Sequence, residues 1–286
     1  MRKTLAFILV LCLLAPLCAA SASGGGEARA VIGADLTEEQ IDFVYSSFGV
    51  ERGSVAELTV TNADEREYLE GLVDSALIGT NAISCAYIEL LPEGEGLDVT
   101  TENINWCTPE MYVGALATAG ITDARIAVSA PFAVSGTAAL TGVYLAYEDM
   151  TGEELSEEAK RVSTQELTVT ASLADSVGSP GSVEIVNELK LLLDKTRDMT
   201  DEELRAEISR IASEAGVELN DSQVGQLVTL CRALEKLDPD SLRQKVESVQ
   251  DTLRSLGAVL ERAGGFFDRV VEVINSVIDF FRGLFS

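Results

Sequence analysis

Apolar and polar residues follow mixed helical and strand periods up to about residue 152, and helical periods alone from there on. Thr37-Glu38-Glu39-Gln40 has the spacing of a capping box. Ile41, Val44, Tyr45 and Phe48 then share one helical face that stops at Gly49. Ala56, Leu58 and Val60 alternate with Glu57, Thr59 and Thr61, which predicts a half-buried strand. Asn62-Ala63-Asp64-Glu65 opens a short helix through Leu69. Ala82 to Leu91 is an apolar run with strand character, and Leu97 to Trp106 is a second. Pro92-Glu93-Gly94-Glu95-Gly96 lies between them, so the pair reads as a hairpin with a longer loop. Thr108-Pro109-Glu110 starts a helix, with proline at its tolerated first position, and Gly120 ends it. Ala124 to Ala130 is another strand, after which Ser135 is expected to cap a helix running to about Met150. The order α-β-α-β-β-α-β-α predicts a layered α/β arrangement of α+β class.

The second half predicts helices only. One spans 153–177 and links the two parts, and another presents Ile185, Val186, Leu189, Leu192 and Leu193. Thr200-Asp201-Glu202-Glu203 is a capping box ahead of Leu204, Ile208, Ile211 and Ala215. Asn220 to Gln223 opens a helix whose face is Val224, Leu227, Val228, Cys231 and Leu234. From Pro239 onward the apolar positions Leu242, Val246, Val249, Leu253, Leu256 and Leu260 alternate steps of four and three, a heptad seam. Gly264-Gly265 interrupts it. The face then widens around Phe266, Phe267, Val270, Ile274, Val277, Phe281 and Leu284. This predicts an all-α domain with a long amphipathic C-terminal helix. The expected boundaries are 1–22 for a signal peptide, 23–152 for the α+β domain, 153–238 for the helical domain and 239–286 for the final helix.

Arg2 and Lys3, the apolar run Leu5 to Leu17 and the small residues Ala20-Ser21-Ala22 have the layout of a secretory signal peptide. A membrane anchor is the alternative, but the run is shorter than the ~20 residues that span a bilayer. Cys18 also lies near the cleavage zone, though Leu17 precedes it where lipid attachment needs a small residue. The expected location is therefore extracellular or at the cell envelope.

Charge sharpens the division into two. The 286 residues carry 21 Lys+Arg against 47 Asp+Glu, a net charge of −26, which becomes −28 without Arg2 and Lys3. Residues 21–159 have four arginines and 25 acids. Every lysine after Lys3 lies at or beyond Lys160. Such a chain will not bind nucleic acid through its overall field. It contains no histidine, so Ser-His-Asp triads, Cys-His dyads and His-based zinc sites are excluded. No cofactor and no metal is expected.

Three candidate features remain. Ser135, Gly136 and Thr137 run from a strand into a helix whose exposed N–H groups would suit an anion or small ligand. The stretch lacks the glycine spacing of a nucleotide loop, and local capping is the stronger account of Ser135. Cys85 and Cys107 fall on the two arms of the expected hairpin, as a disulfide or as two buried free thiols. Cys231 reads as a buried, inert cysteine. The face from Phe266 to Leu284 would pack on its own domain, self-associate, bind a protein partner or, with acids outnumbering its arginines, less readily touch a membrane. Acidic runs such as Asp64-Glu65-Glu67-Glu70 read as solvated helix faces.

Gly33-Ala34-Asp35-Leu36-Thr37, Val60-Thr61-Asn62, Ala82 to Tyr87, Thr108-Pro109-Glu110-Met111-Tyr112 and Pro131 to Gly142 together resemble the YpuA-like family. These are secreted proteins of Gram-positive bacteria with a domain of unknown function. The resemblance covers almost the whole chain after residue 22 and brings no catalytic residues with it. It implies that positions 85 and 107 are usually not cysteine, and their joint departure favours a bond between them. The leading functional expectation is an exported, non-enzymatic interaction protein. The alternatives are a histidine-independent carboxylate hydrolase of envelope polymers and an anion or small-ligand binder.

Overall fold

The computed structural model describes residues 27–71, 78–249 and 252. The proposed signal peptide and the face from Phe266 to Leu284 lie outside the described residues. The first half is built on a five-stranded mixed sheet in the order β2-β1-β3-β5-β4. The strands are β1 (Ala28–Gly33), β2 (Ala56–Val60), β3 (Cys85–Leu90), β4 (Leu97–Ile104) and β5 (Ala124–Val134). β1–β2 and β4–β5 are parallel, whereas β1–β3 and β3–β5 are antiparallel.

The chain is therefore α+β, but the expected strand pairing is overturned. Leu97–Ile104 does not pair with Cys85–Leu90, because β5 is inserted between them. The turn cluster that suggested a hairpin is tied instead to the start of β5. The Asp123 carboxylate accepts from the N–H groups of Gly94 (2.8 Å) and Gly96 (2.9 Å). Parallel β4 and β5 then need a crossover helix, and α3 (Pro109–Ala119) supplies it.

Period-two alternation sends the strand residues to two cores. Helix α1 (Glu38–Phe48), entered through the Thr37–Gln40 capping box, covers one face over Ala30, Ile32 and Cys85. The other face carries Val31, Ala86, Ile88, Ile126 and Val128 under α3 and α4 (Thr137–Thr151). Helix α2 (Asn62–Leu69) lies against α4.

The helical half comprises α5 (Glu157–Val177), α6 (Ser179–Leu191), the short α7 (Leu193–Thr196), α8 (Asp201–Glu214) and α9 (Asp221–Leu234). Thr200–Glu203 forms the reciprocal cap expected of α8, and Asn220–Gln223, expected to open α9, forms one as well. Helix α5 joins both cores: Leu167 and Ala171 belong to the sheet core, Val162 and Leu173 to the helical one. Residues 239–249 are helical as well. Leu242 and Val246 enter the helical core, and Val249 enters the sheet core. The start of the heptad seam thus packs on its own chain.

Candidate functional site

The turn between β5 and α4 forms one wall of an open cleft. β5 runs on through Pro131 to Val134, beyond its expected end at Ala130. The next two residues are clamped from behind. Asn105 N–H donates to Val134 O (3.0 Å), Cys107 N–H to Ser135 O (3.1 Å), and the buried Tyr112 hydroxyl to Gly136 O (2.6 Å). Gly136 holds φ 98°, the left-handed region. A Cβ at this position would sit 2.5 Å from the Tyr112 hydroxyl and 2.6 Å from Ile104 Cγ2, so only glycine fits. Ser135 is therefore not the cap of α4. Gly136 occupies that position and has no side chain with which to cap the helix.

The opposite wall comes from α2 and from the segment leading into β3. Arg66 on α2 bonds Asn62 Oδ1 (2.9 Å) and the carbonyl of Gly79 (2.6 Å), which ties these two pieces together. Ser84 Oγ accepts from Ala139 N–H (3.0 Å), a peptide in the first turn of α4. The cleft so formed holds about 260 Å³. Its polar lining is Glu65, Thr80, Asn81, Ser84, Ser135 and Thr137.

Glu65 is the chemical centre of this lining. It is 2% exposed, although it sits in an acidic run expected to be solvated. Its Oε1 accepts a short bond from Thr137 Oγ1 (2.6 Å), and its Oε2 accepts from Asn62 Nδ2 at 3.5 Å, the edge of hydrogen-bonding distance. Burial raises the Glu65 pKa above the usual carboxylate range; the bonds from Thr137 and Asn62 and the charge of Arg66 pull it back in part. The start of α4, expected to be open to an external anion, thus already faces the protein's own carboxylate.

The whole cleft falls within residues 32–253, which match the family described as "Protein of unknown function (DUF1002)". The chain belongs to the DUF1002 family. The "Uncharacterized protein YpuA" of Bacillus subtilis (strain 168) is 35% identical over 280 residues, covering 97% of this chain and 93% of that protein. No solved structure matches this chain.

In this DUF1002 chain the two candidate disulfide cysteines are apart and free. Cys85 faces α1 among Ala30 and Ile32, whereas Cys107 belongs to the core on the other side of the sheet. The bond was expected from a hairpin that does not form, so its geometric basis is gone. Burial pushes the Cys85 thiol up to about 12 and the Cys231 thiol to about 11, with Cys107 raised further. None of the three is set up as a nucleophile. The structure brings Ser135, Gly136 and Thr137 to one site and adds Glu65, which the sequence reading missed. The available signal was Leu69: it lies one turn after Glu65 on the same helix face and is buried.

Proposed function

We propose that this DUF1002 chain is an exported, non-enzymatic binding protein whose site for a small polar ligand is the Glu65 cleft. The observation that carries the reading is a buried carboxylate on the wall of an open cavity, hydrogen-bonded by Thr137 and Asn62 rather than by a lysine or arginine. Buried ionisable groups with shifted pKa values in clefts are concentrated at functional sites. The side chains around Glu65 are hydroxyls and an amide, which hold and orient ligands. Hydrolysis by paired carboxyl groups needs a second acid roughly 5–10 Å across the cleft. Among the described lining residues Glu65 is the one acid, which favours holding a ligand over cutting one.

Titrating the labelled protein with a library of small polar metabolites tests the site. Ligand should shift the amides of Thr80, Asn81, Ser84, Ser135 and Thr137, and Asn81→Trp, which fills the cleft, should abolish the effect. A library that leaves these amides unmoved, or moves them equally in the filled variant, overturns the reading. Export rests on Arg2 and Lys3 ahead of the Leu5 to Leu17 run and the small residues after it. Protein recovered from the culture medium should begin just after Ala20 or Ala22. Retention inside the cell with Met1 in place defeats that half of the proposal.

A further inference from the structure

We infer that the ligand of the Glu65 cleft carries a protonated amine, and that this ammonium forms an ion pair with the Glu65 carboxylate; the inference rests on the cleft being a binding site. Among the described residues that line the cleft, none is a lysine or arginine. Glu65 is 2% exposed, and the bonds it accepts come from neutral groups, one of them at 3.5 Å. An ionised carboxylate has about four acceptor positions, so this one retains capacity toward the cavity. Its neighbour Arg66 does not supply the missing charge. That guanidinium is committed to Asn62 Oδ1 and to the carbonyl of Gly79. Buried charges in folded proteins are normally paired, and among the described residues Glu65 makes no salt bridge. A ligand ammonium would complete the pair, and the cleft lining offers the hydroxyls of Ser135 and Thr80 and the Asn81 amide as acceptors for its remaining N–H donors.

Two further features agree. The half of the chain that holds the cleft carries four arginines against 25 acids, so its field concentrates cations and repels free anions. The anion-favouring end of α4 is already turned to Glu65 through Thr137. A neutral polyol could hydrogen-bond to these hydroxyls, to Asn81 and to Glu65 itself, but would leave the charge of the carboxylate unpaired. The raised Glu65 pKa adds a proton linkage: where part of the population is protonated, binding an ammonium expels that proton into solvent.

The test uses propylamine, ethanolamine and 1,4-diaminobutane, with glycerol and glucose as neutral probes and acetate and inorganic phosphate as anions. Amide shifts of the cleft residues give the affinities, and calorimetry in two buffers of different ionisation enthalpy gives the proton count. The amines should bind at least tenfold more tightly than the other probes at pH 8. Their affinity should fall by about tenfold per pH unit below the Glu65 titration, with proton release near it. Glu65→Gln should cost the amines at least tenfold and the neutral probes several-fold less. The pH dependence and proton count of the unaltered protein test the pairing even if that variant folds poorly. If polyols or anions shift the cleft amides and amines do not, the ammonium inference falls while the cleft remains a binding site. If no probe, and nothing in the wider library, moves those amides, both readings fall.

Discussion

Glu65 should cost the empty protein stability. Its pKa is raised in the folded chain because burial penalises the charged form. The sign follows from proton linkage. The folded state binds the proton more tightly than the unfolded state, so the contribution is favourable below the unfolded pKa and is lost as pH rises through the folded one. Glu65→Gln keeps an acceptor for Thr137 and removes the titration. It should therefore raise the unfolding free energy of the ligand-free protein at pH 7–8, by on the order of 1 kcal/mol, and shift it far less at pH 4. Equal effects in urea melts at both pH values would mean that the charge of Glu65 plays no part. The cysteines give a second expectation at this scale. Cys85, Cys107 and Cys231 are buried with raised pKa values. Without reductant, a thiol reagent should label none of them in the native protein and all three once it is unfolded. Labelling only one after unfolding would restore the Cys85–Cys107 bond.

The elements differ in how much of them the sequence exposes. Helices α1, α8 and α9 begin at reciprocal caps formed by side chains three residues apart, so a local motif is enough to locate them. Strand β1 is not legible in the sequence, for the opposite reason. Residues 30–33 are buried in succession beneath helices on both faces, so no period-two alternation shows. The hairpin failed because strand order is a long-range property: Asp123, far along the chain, decides where Gly94 and Gly96 lie. Helix α5 is legible as a helix, but its burial is not. Ser163, Thr164, Thr168 and Thr170 are buried, and the three threonines donate to carbonyls one turn back within the helix. A polar sequence therefore passes through the middle of the molecule. Glu65 was obscured in the same way, since an acid among acids gives no periodic signal. Packing between elements yields a test at α4, which approaches β1 at Gly142. A Cβ there would come within 2.9 Å of Val31 Cγ1. Gly142→Ala gains up to ~1 kcal/mol of helix propensity against an overpacking cost of about 1–3 kcal/mol, so it should destabilise. Adding Val31→Ala relieves the contact, and the pair should cost less than the two single changes summed. Simple additivity in denaturant melts would place the close approach elsewhere.

At the scale of the whole molecule, the two cores are joined by more than apolar contact. Helix α5 carries Glu166, whose side chain is almost fully buried. Its Oε1 meets Lys190 Nζ of α6 at 2.7 Å, and its Oε2 accepts from Thr118 of α3 at 2.6 Å. Lys190 also donates to the carbonyl of Gly114 in α3 (3.2 Å). One ion pair thus links the crossover helix of the sheet half to two helices of the other half. A Cβ on Gly114 would lie 2.9 Å from Glu166 Oε1, so the glycine leaves the space that lets the carboxylate reach α3. Desolvating two charges is expensive, and such a pair adds little net stability compared with apolar side chains of the same size. Breaking it is another matter, because the surviving charge is left buried and alone. Lys190→Met should cost about 3–5 kcal/mol, and Glu166→Gln with Lys190 retained a similar amount. Lys190→Met combined with Glu166→Met should recover most of that loss. The recovered protein then separates two roles for the pair. If it unfolds in one transition with an unchanged denaturant dependence, the pair is not what couples the two halves. If it unfolds in two steps, the pair couples the sheet half to the helical half, and both transitions should be visible by tracking Trp106, which bonds Asp175 of α5 from the sheet half, against far-ultraviolet ellipticity. The second outcome is expected, because the apolar contacts of Leu167, Ala171 and Val249 leave the relative placement of the halves less sharply defined than hydrogen bonds from Lys190 and Thr118 to a single carboxylate.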